Sequence, residues 1–483
     1  MVYPSYEEAV QIIKGGDYKR IPLKIELCAD MITPLMAIRR LKKVSRHVFL
    51  LESAEADKKW GRYTFVGFDP TLEFTCQNGV MRIKSGMEIK EGTMHPGDTI
   101  RRIIADNRSP VIEGMPPFTG GLVGYFSYDY IKYSETTLNL NADDEESFKD
   151  VDLMLFDKIV VFDNYRQKLI LIVNVKTDDI ATAYHKGELE LRTMKTLLTQ
   201  GEMAEDSPLR FKSGYRYLFG RDEYCSMVEK AKHYIHEGDI FQIVLSNRIE
   251  AEIEGSLLDT YRALRMTNPS PYMFYFSSDD IEIAGASPET LVKLENGVLH
   301  TFPLAGTRPR GNTDEEDLAL EKELAEHNML VDLGRNDIGR ISKIGSVEVE
   351  KYMNIERYSH VMHIGSTVRG IIRDDKDALD AVDSILPAGT LSGAPKLRAC
   401  ELICELENNK RGIYGGAIGY IDFTGNLDTC IAIRLAFAKN GKVFVRSGAG
   451  IVADSIPENE YQECINKAKA VMNALDMAQG GLE

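Results

Sequence analysis

Asn440-Gly441 is the feature that most constrains the fold of this chain. The pair sits between two runs rich in apolar residues, 431–439 and 442–446. Asparagine and glycine accept the left-handed backbone that a two-residue hairpin turn needs. Strands joined this way must be antiparallel, because parallel neighbours need a crossover of a dozen or more residues. Other segments read as strands too. Val48-Phe49-Leu50-Leu51, Tyr63-Thr64-Phe65-Val66 and Ile159-Val160-Val161-Phe162 lie between polar breaks. In residues 240–248, Phe241, Ile243 and Leu245 face one way and Gln242, Val244 and Ser246 the other.

Helices fall between these runs. Residues 222–237 place Tyr224, Met227, Val228, Ala231 and Ile235 on one face, and Gly238 ends the helix. Thr313-Asp314-Glu315-Glu316 reads as a capping box for a long helix to Leu333, closed by Gly334. Residues 179–198 form a helix with charged faces, and a last helix runs from near Pro457 to about Met477. The expectation is an α/β (α+β) chain with large, mostly antiparallel sheets flanked by helices. Residues 201–208 are the best linker, and residues 141–147 an acidic loop. The division expected is residues 1–205 and 206–483, two intimately packed portions.

Charge narrows the function. The chain has 58 Lys and Arg against 74 Asp and Glu over 483 residues, a formal charge of −16. Binding a nucleic-acid backbone needs surplus positive charge, so that class is excluded. An anionic substrate would need a site with its own cations, from a metal or from placed Arg and Lys. The N-terminal residues show no secretory pattern. Apolar runs such as residues 168–173 fall far short of the ~20 residues of a membrane helix. Seven scattered cysteines with no CxxC pair read as reduced thiols, so a cytoplasmic protein is expected.

Several groups of residues are candidates for chemistry. Glu323 and Glu326 share a helix face, as do Glu460 and Glu463, with Lys467 on the same stripe. Carboxylates from two helices suit Mg²⁺, and glutamates at this spacing also suit a solvated face. Arg434 stands among Ala432 and Ala436 in a run read as one strand, 430–437, either facing a ligand carboxylate or solvated on an edge. Gly389-Thr390-Leu391-Ser392-Gly393-Ala394-Pro395-Lys396 is a Gly-rich turn opening a helix, fit for an anion or for capping alone. Gly448-Ala449-Gly450 allows a ligand close to the backbone, or a tight bend. His363 lies in an apolar strand, as a base or a satisfied core residue. Glu289 in Ser287-Pro288-Glu289 either reaches a cleft as an acid or caps a helix.

These pieces occur in one order. Gly238-Asp239-Ile240-Phe241-Gln242 is followed by Gly285-Ala286-Ser287-Pro288-Glu289 and Pro303-Leu304-Ala305-Gly306-Thr307-Arg308-Pro309-Arg310. Then come Glu326-His327-Asn328-Met329-Leu330-Val331-Asp332-Leu333-Gly334-Arg335-Asn336-Asp337, the Gly389 turn, and Gly448-Ala449-Gly450-Ile451-Val452. Together they resemble the chorismate-binding enzymes over about residues 215–475. Leu50-Leu51-Glu52-Ser53 and Asn268-Pro269-Ser270-Pro271-Tyr272-Met273 resemble the tryptophan-inhibition site of one branch, the anthranilate synthase large subunits.

The resemblance implies Mg²⁺ held at Glu326 and Glu463, with Glu323 and Glu460 assisting. It implies chorismate met by Gly306, Thr307, Tyr414, Arg434, Lys467 and the backbone of Gly448, Ala449 and Gly450. It implies Glu289 as general acid, His363 as base, and Thr390 and Gln242 as further members of the site. Glu52, Ser53, Asn268, Pro271, Tyr272 and Met273 match the inhibitor site. Ala305 stands where the aminodeoxychorismate branch usually carries Lys. Gln242 stands where water-using relatives usually carry a Lys that activates water. Both favour ammonia delivered to ring C2. No Gly-x-Cys-x-Gly elbow of a glutaminase is present, so a glutamine amidotransferase subunit is implied as partner, in an assembly of two large and two small subunits. The alternatives are aminodeoxychorismate synthase and a non-catalytic amino-acid-binding regulator.

Overall fold

The computed structural model describes residues 1–482 apart from 55–60, 94, 206, 310–323 and 358–360. For residues 304–309, 324–326, 355–357 and 361–364 it describes the backbone alone. Among the described residues the strands form two sheets, of 13 and 12 strands, and every ladder in them is antiparallel. The hairpin at Asn440-Gly441 forms as its sequence requires. Lys439 pairs with Lys442 and Phe437 with Phe444, and the two turn residues have φ of 53° and 73°.

Each sheet has strands from both ends of the chain. In the larger, Val48–Glu52 pairs with Tyr272–Ser277, which joins the N-terminal strands to Glu282–Ser287, Leu435–Lys439, Lys442–Ile451 and Gln242–Glu254. In the smaller, Gly121–Phe126 pairs with Ala417–Asp422. A layer of large side chains fills the space between the sheets: Phe49, Phe65, Phe274 and Phe444 from one, Tyr125, Phe156 and Ile418 from the other. The outer face of the larger sheet buries Leu50, Val66 and Tyr275 against helices that include Ile180–Gln200, Leu258–Thr267 and Pro457–Ala478. The outer face of the smaller one packs on Leu324–Gly339 and Ala378–Ile385. The order is helix, sheet, sheet, helix, as expected of two sheets that are each apolar on both faces.

Three sequence expectations change. The run 430–437 is not one strand. Leu427–Ile431 ends in the smaller sheet and Leu435–Lys439 starts in the larger. Between them the chain crosses from one sheet to the other, and Arg434 takes φ of 51°. Hydrogen bonds hold the crossing: Ala432 N–H to Gly416 O, and Ala286 N–H to Arg434 O. Periodicity could not reveal this, because both halves keep the apolar alternation of a strand. Secondly, the long helix does not stop at Gly334 but continues to Gly339. Gly334 serves packing there, since a Cβ would lie 3.2 Å from the Thr301 methyl. The capping box at Thr313 lies outside the described residues. Thirdly, Ser287-Pro288 opens no helix, because strand Thr290–Glu295 follows directly.

Candidate active site

Strands Gln242–Glu254 and Lys442–Ile451 lie side by side, with Val244 opposite Gly450 and Ser246 opposite Gly448. Gly448 and Gly450 point to one face. A Cβ on Gly448 would sit 3.1 Å from the Tyr414 hydroxyl and 2.6 Å from Leu245 O. One on Gly450 would sit 2.9 Å from the Gln242 amide nitrogen. Glycine therefore makes room for two polar side chains over bare backbone. The Ala449 methyl is fully buried on the opposite face, so Ala449 offers only its peptide groups. Lys467, on helix Pro457–Ala478, donates to Gly448 O at 3.2 Å and pairs with Glu463 at 2.6 Å. Glu460 lies one turn earlier on the same helix. Sequence positions 242, 414, 448, 450, 463 and 467 thus converge.

Beside this face, Glu289 is buried at the mouth of strand Thr290–Glu295. The Thr390 hydroxyl donates to its Oε1 at 3.3 Å. Burial pushes the Glu289 carboxyl up to about 8, with the Thr390 hydrogen bond and the Arg434 charge opposing. A carboxyl in that condition is protonated at neutral pH and is a proton donor. Burial also lowers the Arg434 guanidinium, against the pull of Glu289. A cavity of about 40 Å³ is lined by Glu289, Thr390, Gly389, Leu330, Leu333 and Asp337 among others. The Leu333 side chain packs into the space a Cβ on Gly389 would take. Lys396 is not free for an anion: it anchors the turn, at 2.8 Å from Asp337 and 2.9 Å from Ile385 O.

His363 lies on strand Val361–Ile371, opposite Glu356. Ala305 pairs with Ile364, and the ladder shifts register between Ala305 and Arg308, so Gly306 and Thr307 sit at an irregularity in the strand. Such breaks re-aim side chains next to active sites. Glu326 lies in the first turn of helix Leu324–Gly339. The side chains of these residues, and Glu323 entirely, lie outside the described set. The neighbouring His327 is fully buried and bonds Ser366 Oγ at 2.7 Å, which fastens the helix to strand Val361–Ile371.

The expected inhibitor residues meet elsewhere. Glu52 pairs with Met273 and Leu51 with Phe274, so two motifs more than 200 residues apart become neighbouring strands. A cavity of about 290 Å³ is lined by Glu52, Ser53, Pro271, Tyr272 and Met273, with Phe65, Lys351, Tyr420 and Asp428 in its wall. Asn268 is not in the wall; it ends helix Leu258–Thr267. Glu52 is held by Arg265 at 2.7 Å and by the Tyr261 hydroxyl. Pro288 lines this larger cavity, Glu289 the smaller, and Thr290 lines both.

Sequence reasoning missed a buried cluster beside Gly448 on the same strand face. Glu407, Arg411 and Arg446 are at most 5% exposed, and both arginines bond the glutamate. The available signal was Glu407 and Arg411 at helical spacing, with Arg446 in an apolar strand. It also did not single out His47, Glu73 and Asp279, which lie close enough to share a metal. Lys84 bridges those two carboxylates at 2.9 and 3.0 Å, so an ion-pair network accounts for them.

The model of the chorismate binding enzyme family matches residues 46–473. This chain belongs to that family. Within it, the chain is 46% identical to anthranilate synthase component 1 of Acetivibrio thermocellus, over 99% of each chain. It is 44% identical to the protein of the same description from Aquifex aeolicus (strain VF5), again over 99% of each. Among solved structures it superposes on anthranilate synthase component I from Streptococcus pneumoniae TIGR4 with a TM-score of 0.75 at 37% identity, over 92% of this chain and 98% of that one. Among the described residues no helix is long and apolar enough to cross a membrane.

Proposed function

We propose that this chain carries the ammonia-dependent anthranilate synthase reaction. Ammonia attacks C2 of chorismate as the C4 hydroxyl departs as water, and pyruvate is then eliminated to leave an aromatic ring. The observation that carries the reading is Glu289. It is a buried carboxyl, protonated at neutral pH and oriented by Thr390, at the edge of a glycine-lined face. Full-length similarity to anthranilate synthase component 1 supports it.

Each residue has a task in this reading. Glu289 gives its proton to the leaving hydroxyl. Thr390 fixes the carboxyl in one orientation. His363 removes the C2 proton. Tyr414, Arg434, Lys467 and the backbone of Gly448 to Gly450 receive the carboxylates, which answers the charge problem of an acidic protein. Gly306 and Thr307 contact the ring. The Gln242 amide has no basic lone pair with which to activate water, which disfavours hydroxylation. Ala305 provides no nucleophile, which disfavours the aminodeoxychorismate route.

Mg²⁺ would be held by Glu326 and Glu463, with Glu323 and Glu460 assisting. The donor chemistry fits: these are hard oxygen ligands, and Glu463 already holds a positive group, Lys467. Bound there, the ion supplies Lewis-acid anchoring of the ring carboxylate. Tryptophan, as feedback inhibitor, would occupy the cavity of about 290 Å³. The Tyr272 hydroxyl in its wall accepts from Thr290 at 3.0 Å, one residue from Glu289, which supports a coupling between the two cavities. A glutamine amidotransferase subunit would supply ammonia, in an assembly of two large and two small subunits.

The test is a fluorescence assay for anthranilate with chorismate, ammonium and Mg²⁺, run with and without tryptophan. Anthranilate should form without any partner and tryptophan should suppress it. A folded protein that yields none refutes the reading.

A further inference from the structure

The buried cluster beside Gly448, on the same strand face, holds two guanidiniums and one carboxylate. Arg411 donates to Glu407 Oε2 at 2.9 Å, and Arg446 to the same oxygen at 3.2 Å. The Glu407 Oε1 accepts from Ser246 N–H at 2.7 Å and Ser246 Oγ at 3.0 Å. Arg411 Nη2 also donates to Glu407 Oε1, and the remaining donors of the two arginines go to neutral groups. Arg411 bonds Leu391 O and Val244 O, both at 2.7 Å. Arg446 bonds Ser246 Oγ at 2.8 Å, Lys410 O at 3.1 Å and the Asn409 side chain. Two positive charges therefore share one negative partner. The nearby Lys410 ammonium is taken up separately by Asp150 and Asp144.

Burying an unbalanced charge is expensive. Two hydrophobic residues in place of one arginine pair would be a cheaper way to fill this space. The location gives the reason. Arg411 lies 5.8 Å from the centre of the Tyr414 ring and bonds the peptide next to Thr390. Arg446 shares its strand face with Gly448 and Gly450. Burial lowers the Arg446 guanidinium to about 10, against the pull of Glu407, so it stays charged at neutral pH. Burial opposes the charge on Glu407, but the two arginines outweigh it and hold the carboxyl below its ordinary range.

We infer that the Glu407–Arg411–Arg446 cluster is a positively charged wall that holds the dianionic substrate from the side, acting through Tyr414 and the Gly448–Gly450 backbone rather than by contact. Arg411 and Arg446 are positioning residues in this inference, which rests on the proposed reading of the face as the chorismate site. It explains how a protein of charge −16 offers an attractive pocket to a dianion.

Charge bookkeeping gives a test that packing alone cannot imitate. Arg446→Met leaves a neutral pair and should raise KM for chorismate by roughly two orders of magnitude with kcat within about twofold, the effect of one unit charge on two carboxylates at about 10 Å and an effective dielectric of about 20. Glu407→Gln adds one positive charge and should lower KM. The double variant restores the original net charge, and its KM should return toward the wild-type value. Arg411→Gln removes the same charge independently, should Arg446→Met not fold. If Arg446→Met and Glu407→Gln both raise KM, or the double variant is no better than Arg446→Met, the cluster is structural and the inference is wrong. If the wild-type chain does not turn over chorismate, it is the proposed function that fails.

Discussion

Glu289→Gln swaps a buried carboxyl for an amide of nearly the same shape, and it tests the proton-donor assignment through stability as well as rate. In the folded protein burial raises this carboxyl from 4.5 to about 8. Between those two values the folded chain keeps a proton that the unfolded chain has lost. Stability from this group is therefore full below pH 4.5 and is lost as pH rises through about 8. Between pH 6 and 9 the loss is about 2 pH units' worth, or about 3 kcal/mol at about 1.4 kcal/mol per unit. The amide does not titrate. Urea unfolding at pH 6 and pH 9 should thus show wild type losing about 3 kcal/mol more than the variant over that interval. The rate should follow the same proton, with wild-type kcat falling as pH rises past about 8 and the variant nearly inactive. Removing the Thr390 hydroxyl, which favours the charged form, should move that fall to higher pH in Thr390→Val. Equal pH slopes of stability in wild type and Glu289→Gln would refute the reasoning, because they would mean the carboxyl is already ionised in the fold.

Three further outcomes are expected. Glu326→Gln and Glu463→Gln should each abolish Mg²⁺-dependent anthranilate formation while calorimetry still detects tryptophan binding; full activity in both would remove the metal assignment. Ala305→Lys should lose anthranilate formation, and unchanged fluorescence would count against ammonia delivery to C2. Gly450→Ala puts a methyl 2.9 Å from the Gln242 amide, so steady-state kinetics should show a higher KM for chorismate with the fold intact by circular dichroism. A KM equal to wild type would show that Gln242 is not held over that glycine.

Local chemistry wrote much of this molecule. The Asn440-Gly441 turn, the helix Arg221–His236 and the last helix follow from turn geometry and apolar spacing, and they form where the sequence places them. The motif order identified the family, and the spacing of Glu460, Glu463 and Lys467 fixed that stripe on one helix face. Contacts across the chain were another matter. The alternation of residues 430–437 reads identically whether the strand stays in one sheet or crosses to a second, so only the fold shows Arg434 at the crossing with its left-handed backbone. The pairing of Glu52 with Met273 depends on register between strands distant in sequence. The condition of Glu289 depends on burial, and the positive cluster at Glu407 on three segments meeting in the core. Periodicity records which face a side chain takes along its own element. It carries no record of which element arrives opposite, and that is what sets dielectric, charge balance and the shape of a pocket.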